Sequence, residues 1–238
     1  MKRSDGYKEI ARRLRKLSKE GFVRTHRTGP AGIGKTLEDL AGIKENNLPG
    51  PDHRRYELKS ARVNSSSMLT LFTKSPLPAK SNSVLLNKFG YPSARGNKKK
   101  ELHTTVKASN FNKLKGKKGF GIRIRDDCVQ LISNKSAVLG YWDRATLKKR
   151  FDAKYPGLLY VKADARGKGN QEEFWFKEAF FLWGFDFNKF VDLLKEDVIL
   201  VDVRIGQYSN GRPHDHGTGF RVMPDQLDKC FKHREKVV

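Results

Sequence analysis

Tyr7, Ile10, Leu14 and Leu17 recur at three- and four-residue intervals, with Lys8, Arg12, Arg13, Arg15 and Lys16 on the intervening faces. That spacing predicts an amphipathic opening helix, which Gly21 ends. A second helix is expected from Thr36 through TLEDLAGI, closed by Gly42 or by Asn46-Asn47. RYELKSARV and MLTLFTK are strand-like runs separated by an Asn64-Ser65-Ser66-Ser67 turn. Residues 92–118 are the least core-like stretch. They predict irregular, solvent-facing backbone, or backbone ordered by phosphate contacts. GFGIRIR and CVQLI alternate as paired strands would across Asp126-Asp127, and a helix is expected near 143–155. LLYVKADA has the pattern of a buried strand. Residues 171–195, rich in Phe and Trp, predict a major core helix. DVILVDVRIG is the strongest strand pattern in the chain, followed by a polar Gly/His loop and a last strand, TGFRVM. Helices and strands interspersed in this way predict an α/β fold with a mixed sheet.

Composition then adds a partner. The 49 lysines and arginines against 26 acids give a formal net charge of +23, too large for an ordinary surface because it repels itself in any compact state. A polyanion, nucleic acid above all, is the economical counterpart. At 37% hydrophobic residues over 238 positions the chain can still bury a core, which separates it from basic disordered tails. Cys128 and Cys230 are too few for a disulfide scaffold and too far apart for a zinc knuckle. The basic N-terminus has no apolar h-region, and Asp5 and Glu9 argue against a transit peptide, so a cytoplasmic location is expected.

Two motifs compete for the chemistry. Gly29-Pro30-Ala31-Gly32-Ile33-Gly34-Lys35-Thr36 is a literal phosphate-loop match, and Val198-Ile199-Leu200-Val201-Asp202 imitates its usual companion strand. The nucleotide-binding form needs a buried strand running into the loop, whereas Arg24-Thr25-His26-Arg27-Thr28 is polar and charged. A Gly-rich turn leading into the TLEDL helix, with Lys35 available to a DNA phosphate, is the other reading. The second motif is Asp52, Glu57 and Lys59 in PGPDHRRYELKS. Residues two apart on a strand share a face, so Glu57 and Lys59 emerge together while Tyr56 and Leu58 point away. Asp52, in the bend around Pro49 and Pro51, can fold back beside Glu57. Paired carboxylates suit Mg²⁺, with Lys59 beside the attacking water. An exposed Glu57–Lys59 ion pair is the alternative. Asp152-Ala153-Lys154 repeats the spacing in a run with helical periodicity, where such residues do not share a face, and is set aside as a decoy.

GPAGIGKTLEDL, ENNLPGPDHRRYELKS, MLTLFTKSP, LHTTV and VDVRIGQY…PHDHGTGFRV, taken in order, resemble the MvaI/BcnI restriction endonucleases, the MvaI branch most closely; LTLF, YVKADARGKGNQEEFWFKEAFFL and the PHD run are also similar to the BcnI branch. These enzymes are related to the mismatch-repair nickase MutH. The resemblance implies a restriction-endonuclease-like mixed sheet flanked by helices, with two lobes around a DNA cleft. A catalytic lobe over 1–110 and a recognition lobe over 111–238 are expected. It implies a monomeric type II enzyme that cuts duplex DNA with Mg²⁺ at a CC(A/T)GG-like site, with a cognate methyltransferase as a possible partner. On the family pattern, Asp52 and Glu57 hold the metal and Lys59 completes the catalytic set. Glu38 lines that site, and His214 falls where the BcnI branch has a histidine near the scissile phosphate. Thr73 stands at a second such histidine position. Asp202, Arg204, His216 and Arg221 match major-groove contacts, an assignment that suits arginine's paired donors to guanine and aspartate's acceptance from cytosine. A MutH-like nickase, a non-catalytic DNA-binding protein and a P-loop NTPase are the rival functions.

Overall fold

A computed structural model describes residues 5–42, 56–94, 99–155 and 157–238. In chain order the first elements are α1 (Asp5–Glu20), β1 (Val23–Arg24), α2 (Gly32–Leu40), β2 (Glu57–Arg62), β3 (Leu69–Thr73) and α3 (Ser81–Phe89). Next come β4 (Tyr91–Pro92), β5 (Lys100–Val106), β6 (Lys113–Leu114), β7 (Lys117–Lys118), β8 (Phe120–Ile124) and β9 (Cys128–Ser133). They are followed by β10 (Val138–Asp143), α4 (Arg144–Lys154), β11 (Leu158–Arg166) and β12 (Glu173–Trp183). The last are α5 (Phe187–Lys195), β13 (Ile199–Gln207), β14 (Pro213–Asp215), β15 (Gly219–Val222) and β16 (His233–Lys236). The α/β class with a mixed sheet is what the alternating patterns predicted.

These elements form two compact units, one of Met1–Ser67, Asp152–Asp186 and Phe231–Val238, the other of Met68–Phe151 and Phe187–Cys230. The expected boundary near residue 110 does not coincide with this division. Strand pairing, not chain order, groups the elements: β11 and β16 pair into the sheet that holds the N-terminal strands.

The first unit is built on the sheet β1-β12-β11-β2, with β16 added beside β12. β2 runs parallel to β11, in a register that sets Leu158 opposite Glu57 and Tyr160 opposite Lys59. One face of the sheet carries Tyr56, Leu58, Leu159, Val161, Phe174, Phe176 and Phe181 into a core completed by Tyr7, Ile10, Leu14 and Leu17 of α1 and Ile33 and Leu37 of α2. Glu57 and Lys59 therefore leave β2 on the opposite face. α1 has the predicted apolar stripe, and Gly21 follows it at φ +76°, the left-handed geometry that ends helices.

The core helix expected over 171–195 is replaced by an eleven-residue strand, β12, and only then by α5. The cause is a bulge. Lys162 pairs with Glu178 but Ala163 pairs with Phe176, so Lys177 is an extra residue. Phe174 and Phe176 alternate inward before the bulge, Ala179 and Phe181 after it. That phase slip turns a two-residue period into something close to a helical one.

The second unit has the antiparallel sheet β3-β15-β13-β5-β4, with β14 beside β13, and a separate meander of β8, β9 and β10. Val201, Val203 and Ile205 alternate inward from β13 at 0% exposure and meet Phe220 and Val222 of β15 and Leu102 and Val106 of β5. Aromatic rings pack beneath: Phe190 lies against Phe72, Phe151, Phe187 and Phe220 at centroid separations of 5.3–5.6 Å. The expectation of irregular backbone over 92–118 is corrected here, since β5 is paired with β13 over five residues. Its buried positions, Leu102 and Val106, are four apart; Thr104 between them shares their face but is polar and only half-buried, while His103 and Thr105 serve the polar face of the sheet.

Candidate active site and nucleic-acid interface

Glu57 opens β2, where its backbone N–H donates to the Gly157 carbonyl at 3.0 Å. Its side chain is buried, with the residue 1% exposed. A carboxylate removed from water in this way needs cationic or hydrogen-bonding partners. Two lysines supply them. Lys59 Nζ lies 2.6 Å from Oε1, and Lys154 Nζ lies 2.8 Å from Oε2. Lys59 comes from the same face of the same strand, as the two-residue spacing required. The alternative of an exposed Glu57–Lys59 pair is excluded by the burial of Glu57. Lys154, set aside on local periodicity, arrives instead from the last position of α4.

Asp52 lies outside the described residues. Glu38 is half-buried on α2. That helix packs on the even-numbered face of β2, where a Cβ on Gly34 would stand 3.9 Å from Ser60 Oγ. Among the described residues no group of three or more His, Cys, Asp or Glu side chains converges as a metal site. Glu57 still has the donor chemistry of a hard-cation ligand: a buried oxygen pair in surroundings that already hold two positive charges against it.

The phosphate-loop match is a short turn, Gly29 to Ala31, leading straight into a helix. Gly32 to Thr36 are the start of α2, and the strand before them, β1, is two residues long and ends in Arg24. The Thr36 hydroxyl is engaged internally, donating to the Gly32 carbonyl at 2.8 Å and accepting the His26 N–H at 2.9 Å. Gly32 is required for close packing, because a Cβ there would sit 2.3 Å from the Arg27 carbonyl oxygen. Lys35 pairs with Asp39 one helical turn on, at 2.9 Å. Hydrogen bonds from Lys35 and then His26 hold the Asp39 carboxyl below its usual pKa.

In the second unit, register collects a polar cluster. Asp202 faces Thr105 across β13–β5, and Arg204 faces His103. Arg221 is opposite Leu200, which places it on the same face as Asp202 and Arg204. Asp202 is 0% exposed, and its Oδ2 lies 2.7 Å from Arg204 Nε and 2.9 Å from Arg221 Nε. Thr105 donates to Oδ1 at 3.2 Å. One buried carboxylate thus fixes two guanidiniums whose side chains stay 36% and 21% exposed. Burial lowers the Arg221 pKa, with Asp202 opposing and Arg204 adding to the fall.

His216 is tied to this cluster by its backbone N–H, which donates to the Arg204 carbonyl at 2.7 Å. Gly206 makes room for its ring: a Cβ there would stand 2.2 Å from His216 Nε2. His214, on β14, stacks on Tyr208 at 4.3 Å and meets His216 edge-on at 4.4 Å. These rings and His103 line a cavity of about 420 Å³. A second hollow of about 430 Å³ is lined by Thr73, Lys74, Ser75, Arg150, Asp215 and Thr218. Asp215 is its fixed point, accepting from Ser75 at 2.6 Å, Asn82 at 3.2 Å and the Gly217 and Thr218 N–H groups at 2.8 and 2.6 Å.

Sequence reasoning missed Lys154 and Thr105. No local signal marks either; each is identified by the partner that folding brings to it, across 97 residues in both cases.

Comparison with known proteins places these arrangements in context. The model of the MvaI/BcnI restriction endonuclease family matches residues 11–231. A solved complex of the restriction endonuclease MvaI with cognate DNA substrate is 26% identical, over 99% of this chain and 100% of that chain, with a TM-score of 0.86. A structure of MvaI in the absence of DNA is also 26% identical, covers both chains completely, and has a TM-score of 0.60. No curated protein sequence matches the chain.

Proposed function

The chain belongs to the MvaI/BcnI restriction endonuclease family, and from that premise we propose that it is a type II enzyme hydrolysing duplex DNA at a short C/G-rich, CC(A/T)GG-like site with Mg²⁺. The observation that carries the reading is Glu57, a buried carboxylate on the same strand face as Lys59 and in contact with it at 2.6 Å. Asp52 and Glu57 would hold Mg²⁺, which when bound polarises the phosphate and lowers the pKa of coordinated water. Lys59 orients the attacking water and faces the charge that gathers on phosphorus-bound oxygen. The attacking water gives up a proton as its oxygen–phosphorus bond forms, one phosphodiester P–O bond breaks, and the departing alkoxide takes up a proton from solvent, so that atoms and charge balance.

Recognition falls to the second unit. Arg204 and Arg221 present the exposed donors of the buried trio, each able to span guanine O6 and N7. Asp202 aims both, and at 0% exposure with both oxygens engaged it acts on the bases through the arginines it holds. His216 would complete the base-reading set, and His214 would meet a phosphate. Lys35 contributes a backbone contact in competition with Asp39. Glu38 belongs to α2, on the face of β2 opposite Glu57 and Lys59, so a role in lining the catalytic site requires it to reach round the β2 edge of the sheet. The net charge of +23 supports strong phosphate attraction, so affinity should fall with salt at a slope of ~0.9 per phosphate neutralised. Action as a cytoplasmic monomer alongside a protective methyltransferase belongs to the same reading; among the described residues no helix is long and apolar enough to cross a membrane.

Glu57→Ala tests the assignment. Cleavage should be abolished while binding of the cognate duplex stays intact or tightens, since a negative charge near phosphate has gone. Normal cutting by the variant refutes the site.

A further inference from the structure

Both oxygens of Glu57 carry an ammonium group. Lys59 and Glu57 move as one element, since β2 is held in register against β11 with Lys59 opposite Tyr160. Lys154 is different. It reaches Oε2 at 2.8 Å from the last residue of α4, and its side chain is only 14% exposed. A desolvated carboxylate gains much from such a partner and loses much without one. A divalent cation bound to a carboxylate oxygen sits at ~2.1 Å from it. Placed on the oxygen that Lys154 already holds, it would lie within about 4–5 Å of the ammonium, where unlike-sized but like-signed charges repel strongly in a shielded site.

We propose that Lys154 is a positioning residue that holds the Glu57 carboxylate and exchanges with the divalent cation for it, so that Lys154 sets how tightly the metal binds. This rests on the reading of Glu57 as a metal ligand. The exchange has a place to go: the C-terminal carbonyls of α4 form the negative end of a helix dipole and receive a displaced ammonium at that same residue. Lys59 keeps its contact and its place beside the water. The device keeps a buried carboxylate aimed and charge-compensated at every stage, and it moves the midpoint of metal binding to higher concentration without changing the shape of the binding curve.

The test is Mn²⁺ binding to the full chain without DNA, followed by electron paramagnetic resonance of the free ion at fixed pH and salt. Lys154→Met removes the competing charge and should tighten Mn²⁺ about tenfold or more, within the usual range for coupled sites. Lys154→Arg restores the cation and should return affinity toward the wild-type value. Unchanged or weaker binding in Lys154→Met overturns the proposal while leaving the metal reading in place, provided Glu57→Ala abolishes the wild-type binding. Wild-type titrations indifferent to Glu57→Ala overturn both. Should Lys154→Met not fold, Mg²⁺ titration of wild-type protein labelled at lysine Cε decides. The Lys154 signal must shift in step with metal saturation, and a stationary signal refutes the exchange.

Discussion

Replacing Asp202 by alanine would leave two guanidiniums facing each other over a hole. The side chain is 0% exposed and meets Arg204 Nε at 2.7 Å, Arg221 Nε at 2.9 Å and the Thr105 hydroxyl at 3.2 Å. Removing one member of a buried ion pair typically costs ~3–5 kcal/mol, because the other charge stays behind uncompensated. Arg204 is 36% exposed and Arg221 21%, so solvent takes up part of the loss. The lower end of that range, ~3 kcal/mol, is the appropriate figure. For a chain of this size each kcal/mol moves the melting temperature by ~2–4 °C, which makes the expected fall roughly 6–12 °C. Asp202→Asn keeps the shape and an acceptor for Thr105, and should fall less. Thermal unfolding followed by circular dichroism reads this directly, and added salt should narrow the gap between wild type and alanine variant by screening the two arginines. A fall under ~2 °C for Asp202→Ala would show that the trio is solvated and that Asp202 does not fix the arginines.

The other predictions concern the supports of these sites. Asp215 is desolvated, which by itself raises its pKa, but hydrogen bonds from Ser75, the Thr218 and Gly217 backbone and Asn82 outweigh burial and leave it below the usual value of 3.8. A depressed folded-state pKa stabilises above the unfolded value and is lost as pH falls through the folded one. Urea midpoints should therefore drop below about pH 4 in wild type, and less in Asp215→Asn; parallel curves would contradict the role. Asp143 accepts the Thr146 N–H at 2.7 Å at the start of α4. Asp143→Ala should cost ~1 kcal/mol of stability by urea unfolding, and no loss would mean that the cap is idle.

Much of this molecule is legible in its residues where a single rule governs a segment. The α1 stripe, the β13 alternation and the Glu57–Lys59 spacing each follow from one period with nothing to interrupt it. β12 is not legible in that way, because the bulge at Lys177 shifts its inward set by one and erases the alternation. β5 hides for another reason. His103 and Thr105 face the polar side beside Arg204 and Asp202, so a paired strand has the composition of a loop. Lys154 shows the limit most clearly. Its helical neighbourhood set it aside, because residues two apart on a helix do not share a face, yet it pairs with Glu57, which no local period can reach. The phosphate-loop match errs in the opposite direction, since a literal pattern there is a helix start whose threonine bonds inward.

The central claim is that this fold cuts DNA at one short sequence using a divalent ion. Digestion of a long sequenced duplex with Mg²⁺, with every cut end mapped, tests it most directly. All ends should share one short C/G-rich motif, and chelation of the metal should remove every cut. Ends scattered without a common motif, cutting that survives chelation, or an intact duplex at saturating protein would contradict it.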